Sequence, residues 1–457
     1  MDDAFNQKKI PLAPNGSYFT GHLNDFQRNP LRFMQTLASK YGHIVRFRLG
    51  PLHKVILLSD PELIKEVLVT KQKCFIKSRE VQSLKTLVGE GLLTSEKDMH
   101  MQQRRLIQPA FKKTHINAYA QDMIDLTEEY MSKWNDGMET EITKDMLDIT
   151  LGIISKTMFS MDFKEGHELL GDSVENGMKL AIKRMRSILP LPLWVPSKTN
   201  REYKQVAQAL DQVLFSIIGN RRQNDSHKED LLGILMNARD DEHGTGMTDQ
   251  QLRDELMTIF LAGHETTANA LSWTIFLLSQ HPEVEEELHN EIDSVIGSES
   301  LKLEHFQRLS YTQNVIWESL RLFPPAYVIG RQVDEDVEIG GYLFKKGETV
   351  LMSQFVIHRL PDYFEDPEDF RPARFENNFM KTLPTYAYFP FGGGPRVCIG
   401  NHFAFMEMVL VLACIAQRYR LRLIGHHETI KPQPLITLRP KPGLKMKLEK
   451  RELGVRD

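Results

Sequence analysis

Residues 389 to 400 have the sequence Phe-Pro-Phe-Gly-Gly-Gly-Pro-Arg-Val-Cys-Ile-Gly, with Cys398 near the end, and they are the most informative segment of the chain. Four glycines and two prolines predict a tight backbone path, and glycine lets backbone N–H groups approach a neighbouring atom closely. A helix predicted from Asn401 directs the positive end of its dipole back at this loop. Both effects favour a thiolate over a thiol at Cys398. The loop therefore predicts either a nucleophile or a metal ligand.

The two chemical interpretations of Cys398 make different demands on its surroundings. A nucleophile needs a positioned base, yet the loop contains no histidine, and the nearest in sequence is His402. A base from elsewhere in the fold keeps a cysteine hydrolase open as the outside alternative. An axial ligand to iron needs only the thiolate, N–H donors and space for a flat ring, which fits better. Cys74 and Cys414 are interpreted as small buried apolar residues.

The same loop fills a ten-residue pattern, F-x-x-G-x-R-x-C-x-G, with Phe391, Gly394, Arg396, Cys398 and Gly400. This pattern resembles the signature of the cytochrome P-450 haem-thiolate monooxygenases. The resemblance implies a haem b cofactor with Cys398 as the proximal iron ligand and with Arg396 reaching a haem propionate. Electron donation from a thiolate favours cleavage of the O–O bond, so the chemistry agrees with the resemblance.

A second informative segment lies inside a long predicted helix. The capping-box sequence from Thr248 to Gln251 opens a periodic stretch that runs to about Gln280, where His281-Pro282 ends it. Within it, Gly263 lowers helix stability, and the Thr266 hydroxyl can bond to the carbonyl oxygen four residues back and bend the helix. We therefore expect a bulge with room for a small molecule.

The segment from Ala262 to Thr267 also resembles the family's oxygen-activation motif. The resemblance implies that Glu265 and Thr266 deliver protons during oxygen activation, so that one oxygen atom leaves as water. Taken alone, such a segment is about as often a polar interruption on a solvent-facing helix surface as it is an oxygen-activation motif. Family members that only isomerise or use peroxide often lack this acid–alcohol pair, which this chain retains.

Several further residues take their expected roles from the resemblance. Glu318 and Arg321 match the E-x-x-R motif, and Arg374 lies in the partner P-x-R-F segment. They would form a buried structural network that locks the Cys398 loop. Without the resemblance, the spacing of Glu318 and Arg321 would indicate an ordinary surface ion pair. His100 and Arg104, an H-x-x-x-R segment, and Arg331 are expected at the haem propionates, or else are solvated surface side chains. The expected distal substrate pocket is lined by Leu93, Ala262, Thr266, Ala326 and Val328.

The fold expected from these patterns is mainly α with a small β portion. The resemblance implies the cytochrome P-450 fold, with a long central helix over the haem and the Cys-ligand loop beneath it. We expect one haem domain over residues 1–457, of the soluble bacterial type, without a fused reductase. Residues 31–41 predict a helix, residues 43–49 and 54–59 a hairpin, and Asp60-Pro61 the start of a helix to Leu68. Val337 to Tyr342 and Thr349 to Ser353 are expected strands, and the last helix spans about 401–419.

Composition limits the remaining function classes. The 457 residues have a net charge of −4, which provides no overall positive field for nucleic acid. Three cysteines without a C-x-x-C pair indicate neither a disulfide framework nor a structural zinc site, and they suggest a reducing compartment. The N-terminus lacks the apolar core of a signal peptide, and no apolar run is long enough to span a bilayer. We therefore expect a cytoplasmic protein without a membrane anchor.

The leading hypothesis is a monooxygenase that inserts one oxygen atom from O2 into a hydrophobic substrate. A fatty acid or related lipid is the first guess, and a terpenoid or steroid is about equally compatible. Electrons would come from a separate ferredoxin, flavodoxin or reductase, which the basic residues Arg104, Arg105, Lys112 and Lys113 could dock. The alternatives are a peroxide-driven peroxygenase or haem-dependent isomerase, and a non-catalytic haem sensor or carrier.

Overall fold

The structure is a computed structural model that describes residues 8–161, 172–185, 191–224, 230–239 and 244–452. Within these ranges the chain is mostly helical, and the helices differ widely in length. In chain order they are α1 Leu23–Arg28, α2 Pro30–Tyr41, α3 Pro61–Lys65, α4 Arg79–Gln82, α5 Lys85–Val88, α6 Lys97–Ile107, α7 Lys113–Ala118, α8 Ala120–Met131, α9 Ile142–Phe159, α10 Asp172–Met185, α11 Lys198–Gln223, α12 Leu231–Asn237, α13 Asp249–Gln280, α14 Pro282–Val295, α15 Leu303–Phe306, α16 Ser310–Leu322, α17 Gln354–Ile357 and α18 Asn401–Arg418.

The strands are short and form small sheets. They are β1 Ile44–Arg48, β2 Lys54–Leu58, β3 Phe75–Lys77, β4 Glu139–Glu141, β5 Ile329–Val333, β6 Val337–Ile339, β7 Tyr342–Phe344, β8 Thr349–Met352, β9 Tyr419–Leu423, β10 Lys431–Pro434, β11 Leu438–Lys441 and β12 Lys445–Lys450. The largest sheet has the order β1-β2-β8-β5-β3, in which only the β2–β8 pair is parallel.

The chain forms two compact units, and the first comprises Met1–Val81 and Trp317–Ile399. This unit contains the five-stranded sheet, the β6–β7 hairpin and the Cys398 loop. Its core is built from buried aliphatic and aromatic side chains of the sheet, with Ile56, Leu58 and Val350 fully buried. Strand β2 is buried at four consecutive residues, from Val55 to Leu58, because it lies inside the sheet between β1 and β8 and both of its faces leave water.

The second unit comprises Gln82–Ile316 and Gly400–Asp457, and α13 is its longest element. Most residues of α13 from Leu252 onward are buried on every face, which is typical of a helix inside a core rather than on a surface. It packs against α9, α11 and α18 and against the β10–β11 hairpin. The Thr248 side chain and the Gln251 side chain form the expected reciprocal cap at its start.

The structure confirms the predicted helix at 31–41, which begins one residue earlier at Pro30, the β1–β2 hairpin, α13 and α18, and the mainly α fold with small sheets. Two expectations were wrong in detail. The helix from Pro61 is α-helical only to Lys65 and continues as a wider π turn to Thr70. Residues 337–342 are two antiparallel strands rather than one, because Gly340 and Gly341 adopt positive φ and turn the chain between them.

The described ranges contain no helix that combines the length and the apolar character needed to cross a bilayer.

Candidate active site

The Cys398 thiol is exposed at the end of a loop that the backbone itself closes. The Cys398 N–H donates to the carbonyl oxygen of Phe391 at 2.9 Å, which joins the two ends of the motif. The Phe391 ring packs edge-on against Trp317, with centroids 6.1 Å apart. The thiol is therefore presented by a fixed backbone, not by a flexible surface segment.

Two glycines in this loop are required by geometry. Gly392 and Gly394 have φ angles of 73° and 67°, which side-chain-bearing residues rarely adopt. A Cβ on Gly394 would also collide with the backbone carbonyl oxygen of Leu68. Glycine is thus required at position 394, because the backbone of residue 68 in the same unit lies too close for any side chain.

Gly400 differs from these two. Its φ is −93°, and a Cβ placed there would make only ordinary contact with Phe111 at 3.5 Å. No protein atom therefore requires glycine at this position, although the motif has one. Helix α18 begins at the next residue, and its 18 residues direct their N-terminal dipole toward this end of the loop.

Glu318, Arg321 and Arg374 form the buried ion-pair network that the sequence motifs indicated. Arg321 Nε and Nη2 donate to the two carboxylate oxygens of Glu318 at 2.7 and 2.9 Å, and both side chains are fully buried. Arg374 Nε donates to Glu318 Oε1 at 3.4 Å. The Arg321 guanidinium also donates to three backbone carbonyls, those of His358, Pro367 and Asp369. Every buried charge is thus paired, as burial demands.

His358, which no sequence motif indicated, connects this network to the start of the Cys398 loop. Its carbonyl oxygen accepts from Arg321, and its ring Nε2 accepts from the Phe389 N–H at 3.0 Å. Burial, with help from Arg321 and Arg359, lowers the pKa of His358 well below its ordinary value, so the ring is neutral and can accept. A lone histidine 40 residues before the cysteine gives no sequence signal of this role.

Helix α13 has one accessible window in an otherwise buried surface. Leu261, Glu265 and Thr267 are buried, whereas Ala262 is exposed and Thr266, one turn later on the same face, is half-buried. The Thr266 hydroxyl donates to the Ala262 carbonyl oxygen at 2.6 Å, as expected. The expected bulge is absent, because the α-helix runs through these residues without interruption. The exposure of Ala262 therefore does not come from a break in the helix.

Glu265 is buried next to this window, and its carboxylate is bound by the β10–β11 hairpin. Its Oε1 atom accepts from Arg439 Nε at 3.0 Å and Nη2 at 2.9 Å, and also from the Thr437 hydroxyl. These partners lie more than 170 residues away in sequence. The spacing of the sequence motif contained no information about them.

The segment before α6 is tied to the beginning of α13. Glu255 accepts from the Leu92 N–H, Asp254 from the Glu90 N–H, both at 2.8 Å, and Arg253 Nη2 donates to the Leu87 carbonyl oxygen. Leu93, the predicted pocket residue in this segment, is half-buried. Three consecutive residues of α13 thus position the segment before α6, and no sequence motif indicated them.

The other predicted site residues occupy varied surroundings. His100 is buried on α6 and its Nδ1 lies 3.2 Å from the Leu92 carbonyl oxygen, while Arg104, one turn later, is half-buried. Arg331 lies on β5 with 9% exposure, and its Nη1 donates to the Gly330 carbonyl oxygen. Arg396 is half-buried, as is Val328, and Ala326 is exposed.

The first unit by itself carries side chains of the types that a haem group needs. Cys398 lies exposed at the end of a backbone-closed loop, and Arg331 and Arg396 are cations of the type that binds propionates. Among the described residues, no cluster of three or more histidine, cysteine or carboxylate side chains forms a metal site.

Comparison with known proteins gives consistent matches over nearly the whole chain. The family model described as Cytochrome P450 matches residues 11–448. Cyclooctatin synthase of Streptomyces melanosporofaciens is 36% identical over 437 residues, which cover 94% of each chain. Cyclooctat-9-en-7-ol 5-monooxygenase of the same organism is 34% identical and covers 90% of this chain and 89% of its own. Pentalenene oxygenase of Streptomyces avermitilis is 30% identical, with 97% and 98% covered.

Proposed function

This chain belongs to the cytochrome P450 family, and from that premise we propose that it hydroxylates a terpenoid with Cys398 as the iron ligand. Its class is established more coarsely: it is an oxidoreductase of the monooxygenase type whose cofactor is haem bound through a cysteine thiolate. The observation that supports Cys398 is its exposed thiol at the end of a backbone-closed loop, since Cys414 is buried and Cys74 lies outside any such loop.

The haem supplies oxygen activation when bound, and the protein residues prepare for it. The Cys398 loop holds the sulfur in one position. Arg396, Arg331, His100 and Arg104 neutralise and orient the propionates in this proposal. Thr266 and Glu265 hold and transfer the protons that convert one oxygen atom of O2 into water, and the expected products are ROH and H2O.

The substrate class rests on two supports. The expected pocket residues Leu93, Ala262, Ala326 and Val328 are apolar and provide no charge for a carboxylate. The three relatives above bear names of terpene chemistry, two of which name a cyclic hydrocarbon or alcohol as the compound oxidised. Both supports favour a cyclic terpenoid over the fatty acid that was the first guess from the sequence.

A spectral-shift screen tests the substrate class directly. Ferric protein is titrated with cyclic terpene hydrocarbons, their mono-alcohols and saturated fatty acids of matched carbon number, and displacement of water from the iron is followed in the Soret band. We expect the shift with members of the terpene set, and an oxygenated product when O2 and electrons are supplied. A shift confined to the fatty acids would contradict the terpenoid assignment, and product formed only with peroxide would support the peroxygenase alternative.

We further propose that a separate, acidic electron carrier reduces the protein. Arg105, Lys112 and Lys113 are exposed, and Arg104 is half-buried. Reversal of charge in a Lys112→Glu/Lys113→Glu variant should slow reduction by a ferredoxin or flavodoxin and weaken its salt dependence. The matched control is Lys204→Glu, an exposed lysine of α11. Equal reduction rates in the two variants would show that Lys112 and Lys113 do not form the docking surface. We also propose a reducing, cytoplasmic location, on the ground that the three cysteines contain no C-x-x-C pair or disulfide framework.

A further inference from the structure

A small cavity lies in the second unit beside α13. It has a volume of about 20 Å³, which is room for one water-sized molecule, and its walls are mainly aliphatic and aromatic side chains. They include Ile259 of α13, Ile154 of α9 and Phe403 of α18. Thr157, a polar member of the lining, satisfies its hydroxyl within α9 by donating to the Ile153 carbonyl oxygen at 2.8 Å. A lining of this kind does not retain water but accepts small apolar molecules.

The lining residues differ in their exposure, which gives the cavity an outer and an inner end. Phe111 and Tyr119, on either side of α7, are half-buried. Ile154, Ile259 and Phe403 are buried. The Tyr119 and Phe403 rings pack edge-on, with centroids 6.2 Å apart. The cavity is therefore reached from solvent between Phe111 and Tyr119, and it ends at α9 and α13.

The inner end of the cavity adjoins the accessible window of α13. Ile259 lies seven residues before Thr266, which is two turns away on the same helix face. Gly263, between them, is half-buried, and a Cβ built on it would lie 2.7 Å from the Cδ1 atom of Ile154. The end of the Ile154 side chain thus fills the space that glycine leaves at position 263, between the cavity and the window.

We propose that this cavity is a docking site for dioxygen, from which the gas reaches the α13 window when the Ile154 side chain turns aside. The size and the apolar walls suit a diatomic apolar gas, and the class of enzyme to which the chain belongs consumes O2. The O2 molecule is unchanged along this route, which runs within the second unit. The inference goes beyond the proposed substrate and rests on the proposed function for the use of O2 at Thr266.

Xenon, which occupies apolar cavities, tests the site without any substitution. In crystals of the holoenzyme under xenon pressure, we expect xenon density between Ile154, Ile259 and Phe403. The same pressure should slow the binding of O2 to the reduced protein in solution, because the two gases compete for one cavity. Absence of xenon from the cavity, or unchanged O2 binding at xenon pressures that fill it, would overturn the proposal.

Two substitutions should change O2 binding in opposite directions. Ala110→Leu adds volume to the cavity wall, so it should exclude xenon and slow both the binding and the release of O2 several-fold. The equilibrium affinity for O2 should stay unchanged, because a route affects both directions equally. Ile154→Val deletes the Cδ1 atom next to Gly263 and should speed both rates. Flash photolysis measures the rates, and a thiolate-type carbon monoxide band shows that each variant is folded and contains haem.

The matched control is Ala416→Leu. Ala416 lines a second cavity of the same volume, about 20 Å³, which also lies in the second unit. Ile275 of that cavity is twelve residues past Gly263 on α13, which is about 18 Å along the helix. Filling the second cavity should leave O2 binding unchanged. Equal slowing in Ala110→Leu and Ala416→Leu, or slowing in neither, would contradict the proposal.

The gas measurements separate this proposal from the proposed function. They need no organic substrate, so failure of every terpenoid in the spectral screen would contradict the proposed function and leave the O2 site supported. Normal hydroxylation of a terpenoid, with O2 binding unaffected by Ala110→Leu, would overturn the O2 site and leave the proposed function supported.

Discussion

The hydroxyl of Thr266 donates to the Ala262 carbonyl oxygen at 2.6 Å, and our functional proposal gives the same hydroxyl a second role in proton transfer. Such residue-scale contacts were predictable because both partners lie within one helical turn. The Asp60 and Thr248 caps were found for the same reason. The contacts of the Glu265 carboxylate were not predictable, because its partners Arg439 and Thr437 lie in a hairpin that is distant in sequence.

Replacement of Thr266 by alanine tests the proton-transfer role. We expect oxygen and electron consumption to continue while product per electron falls by roughly tenfold or more, because positioned proton transfer typically contributes about 10²–10⁴-fold. Assays of peroxide and of product then show how the consumed electrons divide between the two. Ser272→Ala is the control, since its hydroxyl makes the same type of bond, to Ala268 at 2.7 Å, on the same helix. Undiminished product in Thr266→Ala would instead indicate the peroxide-driven or isomerase alternative.

Among the elements, the helices α13 and α18 were predicted closely and the C-terminal strands were not. The bounds of α13 follow from a capping box at one end and Pro282 at the other, both of which are local signals. The pairing of the C-terminal strands includes partners that are distant in sequence, since β12 pairs with β4 as well as with β9. For the same reason, namely long separation in sequence, the hydrogen bonds of Arg253, Asp254 and Glu255 to the segment before α6 could not be predicted.

Glu255 makes the tie between α13 and Leu92 dependent on pH. Burial raises the pKa of its carboxyl from 4.5 to about 8. Because the folded state holds this proton more tightly than the unfolded chain, the stabilising contribution is complete below about pH 4.5. It is lost as the pH rises through 8, by up to about 1.4 kcal/mol per pH unit.

Thermal unfolding of Glu255→Gln between pH 5 and 9 measures this dependence. We expect the wild type to lose stability relative to the variant as the pH rises, since glutamine can still accept from the Leu92 N–H but cannot ionise. The exposed Glu283→Gln on α14 serves as the control and should show a constant difference from wild type. A constant difference for Glu255→Gln as well would mean that Glu255 is ionised in the folded protein across this range.

At the scale of the whole molecule, the proposal depends on the first unit holding the Cys398 loop in one conformation. The ion-pair network provides this through a continuous path, from Glu318 to Arg321, to the His358 backbone, and from its ring to the Phe389 N–H. The motifs predicted the charged members of the path, because their spacing resembles that of a known family. The neutral histidine and the backbone acceptors could not be predicted, since any residue supplies a carbonyl.

Loss of one charge from this network should destabilise the protein strongly. We expect Glu318→Gln to lower the free energy of unfolding by about 3–5 kcal/mol, because it leaves buried guanidinium groups without their counter-charge. Denaturant unfolding measures the loss, and a lower haem content after purification should accompany it. Arg371→Gln is the control: its side chain pairs with Asp366 at the surface, where such a pair contributes about 0–1 kcal/mol. Equal effects of the two substitutions would show that the network is not a special support.

The carbon monoxide complex of the reduced protein tests the central assignment, that Cys398 binds the haem iron as a thiolate. We predict the far-red-shifted Soret band of thiolate-ligated haem in the wild type and in Cys74→Ser, whose substituted thiol is only partly buried. Cys398→Ser should lose that band. A histidine-type band in the active wild type, or an unchanged band in Cys398→Ser, would contradict the account.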